Sequence, residues 1–206
     1  MDNSPINEQN FFRVACYFEG SLLIIAFVIG WFVGINPFAN LFFSEMAVFY
    51  GIIGTIPLFV FFMALYQIQI DSFQEVKRAL LDTLAPNMVR LHWTDLFILA
   101  AIAGITEEVL FRGTIQPWLE SSWGMTGGLI ASNVIFGLVH AVTPMYAVLA
   151  ALVGMFLGLS MDYGGDRNLL TPIIIHGLYD FLAFLVIVQT YRRELAEKNL
   201  QDTQEK

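Results

Sequence analysis

The sequence is dominated by uninterrupted apolar runs, and these constrain its fold more than any other feature. Several of them reach the roughly 20 residues that an α-helix needs to cross the hydrocarbon core of a bilayer. Hydrophobic residues fill 57% of the 206 positions and charged residues only 14%, against about 25% charged residues in a soluble domain. The runs are continuous rather than alternating, which argues against a transmembrane β-barrel. The sequence therefore predicts an all-α, polytopic bundle of membrane helices.

These runs predict about six transmembrane helices within a single transmembrane domain, residues 1–206. The segment 69–93 differs from them, because an apolar face alternates there with charged residues after a capping-box pattern that begins at Ser72. It predicts a short amphipathic helix at the membrane interface, ended by Pro86. The six predicted spans cover residues 13–35, 45–68, 94–115, 127–142, 146–161 and 169–191.

Several single residues add detail to this predicted arrangement of helices. Pro57 lies within the second span and is expected to kink it. Pro117 and Trp118 follow the third span and predict an interfacial break. Glu19, early in the first span, is expected to snorkel toward the interface. Residues 1–12 are expected to form a short exposed tail without a basic leader, so the first span should remain as an anchor.

Charge and cysteine content exclude some classes of function. The formal net charge is −8 and no basic patch is present, so no nucleic-acid partner is expected. The single cysteine, Cys16, excludes an intramolecular disulfide and a thiolate metal cluster. If the N-terminus is cytoplasmic, eight of the ten Lys and Arg residues fall on the inner side. The positive-inside rule therefore predicts that both termini are cytoplasmic.

Charged residues inside the apolar spans are the main functional signal. A charge at bilayer depth costs roughly 2.5–3.5 kcal/mol on insertion scales, so it normally pairs, faces a wet cavity or takes part in chemistry. Glu108 and Arg112 are four residues apart with the acid first, which is the favourable order for an ion pair on one helical face. Glu107 is then the carboxylate left over. A shared polar cavity is predicted for the full set, which is Glu107, Glu108, Arg112, His140, His176 and Asp180.

Three kinds of function use such a set. It can be a hydrogen-bonded network that only locks helices together, or a relay for ions or protons. It can also hydrolyse peptide bonds, with a carboxylate and a neutral imidazole taking a proton from one water and a second imidazole stabilising charge on the attacked carbonyl oxygen. No serine nucleophile motif is evident, and Cys16 lies far away in sequence, so a covalent route is not indicated.

The order of the motifs resembles a known family. Glu-Glu-x-x-x-Arg at 107–112, Phe-x-x-x-His at 136–140 and His-x-x-x-Asp at 176–180 resemble the CPBP intramembrane proteases. These are relatives of the type II CAAX prenyl proteases, also called the Abi family, and include bacteriocin-immunity proteins. The resemblance covers about residues 94–191, the expected catalytic core. It implies an endopeptidase that cleaves a membrane-associated protein or peptide, with the bilayer as its other partner, in a bacterial cytoplasmic membrane.

The resemblance also implies roles for the candidate residues. Glu107 and His140 would activate the water, and Glu108, held by Arg112, would orient the site. His176 and the residue at Asp180 would form the oxyanion side. The prenyl proteases carry Asn where this chain has Asp180. Asp180 would then act in its protonated form, orient His176, or bind a metal.

Metal use and oligomeric state are left open at this point. Two histidines with carboxylates are plausible Zn²⁺ ligands, and the candidates are Glu107, His140, His176 and Asp180. However, the sequence has no His-Glu-x-x-His motif, and the family has been described both as metalloproteases and as glutamate-dependent proteases. The alternatives to an enzyme are an immunity or scaffold protein, or an ion- or proton-coupled transporter that uses the same residues.

Overall fold

The computed structural model describes residues 8–204, with side chains from residue 10 onward, and over this range it contains helices and no strand. The all-α prediction is therefore confirmed. The helices are α1 Glu8–Val33, α2 Glu45–Gln67, α3 Asp71–Thr83, α4 Ala85–Met88, α5 Trp93–Leu110, α6 Gln116–Val139, α7 Pro144–Ser160 and α8 Leu170–Gln204, and a π-helical turn, Phe111–Ile115, joins α5 to α6.

Three helices have the length and apolar composition needed to cross a membrane: Asn10–Val33, Glu45–Gln67 and Leu170–Gln204, among the residues that the structure describes. Their outward faces carry large exposed apolar side chains such as Trp31 and Phe32, as expected for contact with lipid. Pro144–Ser160 is a shorter apolar helix. The number of crossings and the extent of the domain stay predictions.

Helices α5 and α8 form the centre of the bundle and approach each other very closely at two glycines. A β-carbon built on Gly104 would lie 2.7 Å from the backbone nitrogen of Gly177, a distance that no larger residue tolerates. Because Glu108 and His176 are near neighbours of these glycines in sequence, the close approach brings their side chains within reach of each other.

The predicted break at Pro117 is wrong. The chain stays helical from the π-helical turn through Pro117, the second residue of α6. Proline is tolerated within a membrane helix where a local π adjustment and neighbouring groups satisfy the freed backbone groups. The chain reverses instead at Gly124, whose φ of 71° and ψ of 170° are non-helical. Glycine adopts positive φ at no steric cost, which explains the reversal there.

The amphipathic helix is present as α3, and it buries Val76, Leu80 and Leu81. Its predicted start is wrong, because the N-cap is Ile70 and no side chain caps the helix. α3 ends at Thr83, and Pro86 lies in the first turn of α4 instead of ending α3.

The ends of the chain also differ from expectation. The expected tail at 1–12 is helical from Glu8 onward, and residues 1–7 lie outside the described part. The last helix extends well past residue 191, to Gln204. Residues 192–204 are exposed along it, so this charged segment is solvated as predicted.

Candidate active site

Four of the six predicted site residues line one cavity of about 600 Å³: Glu107 from α5, His140 directly after α6, and His176 and Asp180 from α8. The other two, Glu108 and Arg112, lie behind its wall and have no exposed surface. The structure thus brings together side chains that are up to 73 positions apart (180 − 107) in the chain.

Arg112 is the hub of the buried half of the site. Its Nη1 donates to Glu108 Oε1 at 2.9 Å, so the ion pair predicted from the spacing is present. Its Nη2 donates to Asn133 Oδ1 at 2.9 Å and to the Gly154 carbonyl oxygen at 2.8 Å. The guanidinium carbon also lies 4.6 Å from the ring centroid of Phe136, a cation–π geometry. A buried ion pair needs such additional partners to offset its desolvation.

The π-helical turn carries Arg112 and begins at Phe111, three residues after Glu108. Thr114 Oγ1 donates to the carbonyl oxygen of Val109, five residues earlier, at 3.0 Å. Single π turns within α-helices occur often at functional sites. From this wider turn, the Arg112 side chain extends to Asn133 of α6 and to Gly154 of α7.

His176 links the buried half to the cavity. Its Nδ1 lies 2.8 Å from Glu108 Oε1. Because that carboxylate also accepts from Arg112, we assign the donor proton to Nδ1 from its partners. Nε2 lies 3.4 Å from Asp180 Oδ2. Asp180 is therefore placed to orient His176, one of the three roles considered for it.

Glu107 and His140 form the open half. His140 Nδ1 lies 2.8 Å from the carbonyl oxygen of Phe136, and a carbonyl only accepts, so Nδ1 carries the proton. Nε2 then faces Glu107 Oε2 at 3.5 Å. Glu107 Oε2 is buried without a hydrogen-bond donor among the described residues. In the neutral imidazole, two acceptor atoms thus face each other, and a water molecule can donate to both.

The donor set does not fit a zinc site. Within residues 10–204, no three His, Cys, Asp or Glu side chains are grouped so that they could hold a metal ion. Both ring nitrogens of His176 face carboxylates, and Nδ1 of His140 is held by a backbone carbonyl. A catalytic Zn²⁺ normally takes three protein ligands. The predicted ligand set of Glu107, His140, His176 and Asp180 is not supported by this geometry.

The sequence reasoning missed two residues of the site. Glu19 does not snorkel outward as expected, because its side chain lines the cavity and accepts a hydrogen bond from Thr106 Oγ1 at 3.3 Å. Asn133 is fully buried against Arg112. The sequence alone could have indicated Asn133, since an amide side chain within an apolar helix usually forms a hydrogen bond to a neighbouring helix.

The fold and site thus define an all-helical protein with a glutamate–histidine site in a bundle of apolar helices. Residues 89–182 match the family model Rce1-like, described as type II CAAX prenyl endopeptidase Rce1-like. No curated protein and no solved structure matches the chain. The match includes all six predicted site residues, and it confirms the resemblance to the CPBP/CAAX proteases for the segment that carries them. With its long apolar helices, the chain is an integral membrane protein, and its segment 89–182 is similar to the CAAX proteases.

Proposed function

We propose that this protein is an intramembrane endopeptidase in which Glu107 and His140 activate a water molecule. The observation that carries the proposal is the pair of facing acceptor atoms, Glu107 Oε2 and His140 Nε2, 3.5 Å apart at the wall of the cavity. A water held between them points its lone pairs at a peptide carbonyl in the cavity. Water activation of this kind by a positioned base typically contributes 10²- to 10⁴-fold.

The reaction proceeds in two steps. In the first, a water proton passes to Glu107 while the water oxygen bonds to the carbonyl carbon, and the carbonyl electron pair moves onto its oxygen. His140 holds the water through Nε2. In the second step, the C–N bond breaks and the leaving amine takes the proton from Glu107. No covalent enzyme intermediate forms, and both carboxylate and imidazole return to their starting states.

The buried half of the site orients the His176 ring, so that the ring can stabilise the negative charge that develops on the carbonyl oxygen. Arg112 fixes Glu108, and Glu108 fixes the ring through Nδ1. The other ring nitrogen faces the cavity beside Asp180. Because carboxylates face both ring nitrogens, they favour the imidazolium form of His176, whose Nε2–H stabilises an oxyanion without reorganisation during the reaction.

The cavity also suggests how a substrate enters. It extends from Glu107 to the amphipathic α3, where Val76, Lys77 and Leu80 line it. Lys77 and Arg78 lie on α3, and Arg192 donates to the Val89 carbonyl oxygen nearby. By the positive-inside rule, these charges support a cytosolic position for this end and for both termini. The mostly apolar lining suits a membrane-associated protein or peptide, and a bacterial cytoplasmic membrane is the proposed location.

The test uses the purified full chain in lipid nanodiscs with a library of fluorogenic membrane peptides. The parent should cleave at least one peptide. Glu107→Gln should lower kcat/KM by about 10²- to 10⁴-fold, and His140→Gln should lower kcat/KM by a factor in the same range. Glu45→Gln, in the first turn of α2 away from the cavity, is the control and should leave the rate unchanged.

Two further readouts separate this function from the alternatives. Pre-incubation with a chelator should leave the rate within about twofold, because no step requires a metal; full loss and recovery with Zn²⁺ would show the mechanism to be wrong. If the parent protein cleaves none of the peptides, the proposal that it is an enzyme is wrong. A proton flux in liposomes that disappears in Glu107→Gln would then identify a transporter.

A further inference from the structure

Glu19 is a carboxylate in the site cavity that the proposed mechanism does not use. It lies on α1, in the part of this helix after Arg13, where Glu19 is the one charged residue, and α1 contacts α5. Its side chain turns inward, lines the cavity and accepts a hydrogen bond from Thr106 Oγ1 at 3.3 Å. It is near enough to Glu107, Asp180 and His176 to interact with them electrostatically. An acidic group within a membrane-spanning helix is costly without a counter-charge.

The other acids of the site have cationic or ionisable partners. Glu108 is paired with Arg112, Glu107 faces His140, and Asp180 lies beside His176. By contrast, no ion pair joins Glu19 to a Lys or Arg within residues 10–204, and its hydrogen-bond donor there is the neutral hydroxyl of Thr106.

Lys77 is the lysine that lines the same cavity, on α3. Its ammonium group lies 4.6 Å from the ring centroid of Tyr66, a cation–π position close to where α2 ends. The cavity is thus acidic around the reacting groups and carries its basic residue at the α3 end. A substrate that brings a positive charge close to the scissile bond would complete this charge pattern.

We propose that Glu19 binds a positively charged group of the substrate, an ammonium or guanidinium next to the scissile bond, and so makes the protease selective for basic peptides. The inference rests on the proposed protease function and names part of its substrate class. A hydrogen bond between an ammonium or guanidinium group and a carboxylate is about twice as strong as one between neutral groups. The low dielectric of a mostly apolar cavity strengthens it further. Glu19 contacts the substrate away from the reacting atoms and is a specificity residue.

The experiment compares matched peptides on the full chain in nanodiscs. Starting from a peptide that the parent cleaves, each position within three residues of the scissile bond carries either Lys, Arg or the neutral, similarly sized norleucine. A second pair carries a free or an acetylated N-terminus, which distinguishes a side-chain ammonium from a terminal one. At one position the parent should prefer the cationic peptide by about tenfold in kcat/KM, a ratio typical of one well-placed charge pair.

Glu19→Gln removes the charge but keeps the size and an acceptor for Thr106. It should reduce that preference to below about twofold, through a higher KM for the cationic peptide, with the norleucine peptide unchanged. Glu75→Gln makes the same change in net charge on the exposed face of α3 and should preserve the preference. The proposal is overturned if the parent shows no preference, or if Glu19→Gln slows both peptides equally.

Failure of the protease proposal gives a separate result. If the parent cleaves none of the peptides, fluorescence anisotropy measures their binding to the same variants. Tighter binding of Lys over norleucine peptides that is lost in Glu19→Gln would support cation recognition without catalysis. Equal binding, or no binding, would overturn it.

Discussion

Two glutamate–arginine pairs are buried or partly buried among the described residues, and they differ in how completely their carboxylates are hydrogen-bonded. Arg167 donates to both oxygens of Glu120 at 2.8 Å, and Gln116 Nε2 adds a third bond to the same carboxylate at 2.8 Å. Every oxygen of that carboxylate therefore has a donor. No residue of this pair lines the cavity.

The Glu108–Arg112 pair is more deeply buried and less complete. Neither partner has exposed surface, yet Oε2 of Glu108 and Oε2 of the adjacent Glu107 have no hydrogen-bond partner among the described residues. Unpaired buried acceptors are destabilising in a purely structural network. Of these two residues, Glu107 lines the cavity, where water or substrate can bind. Glu120 is thus satisfied away from the cavity, whereas Glu108 joins Arg112 to His176, which lines the cavity.

Removing the arginine of each pair should show this difference most strongly at Arg112. Arg112→Met leaves the Glu108 carboxylate buried without its cation, which should cost about 3–5 kcal/mol of unfolding free energy. Cleavage should also fall to background, because His176 loses its orientation. Chemical denaturation in detergent micelles and the peptide assay measure the two effects. If the variant does not fold, Arg112→Lys, which keeps the charge but not the planar fork, should fold and lose most activity.

Arg167→Met is the matched variant in the other pair and should have a smaller effect. The Arg167 and Glu120 side chains retain 22% and 12% of their exposure, so water can solvate part of the remaining charge. A loss of about 1 kcal/mol in unfolding free energy is expected, with kcat/KM within about twofold of the parent. A loss of activity as large as that of Arg112→Met would mean that the two pairs do not differ in purpose.

Asp180→Asn should have the smallest effect on cleavage. The 3.4 Å separation from His176 Nε2 is longer than a strong hydrogen bond, and an asparagine oxygen can still accept from the ring. We expect kcat/KM to fall by less than about tenfold, roughly the value of one neutral hydrogen bond. Asp180→Leu, which removes the acceptor, should lose more. A collapse of activity in Asp180→Asn would instead indicate that the negative charge itself is required.

Much of the site could be predicted because its key pairs lie within single helices. Glu108 with Arg112 and His176 with Asp180 are four residues apart, and helical geometry alone puts such residues on one face. Glu107 and His140 could be identified as candidate site residues as well, because they are polar residues inside apolar runs. The predicted start of the second span matches the structure, where α2 begins at Glu45 after an N-cap. The prediction failed where a proline was interpreted as a helix break, as at Pro117.

The sequence by itself determined that this chain forms apolar helices with a few paired charges inside them, because hydrophobic length and four-residue spacing are local properties of a helix. Only the tertiary structure decided which helices meet. The contact of Gly104 with Gly177, the bond from Arg112 to Asn133 and the inward turn of Glu19 all join different helices. Such contacts depend on how side chains of distant segments fit together, and no spacing along one helix encodes that fit.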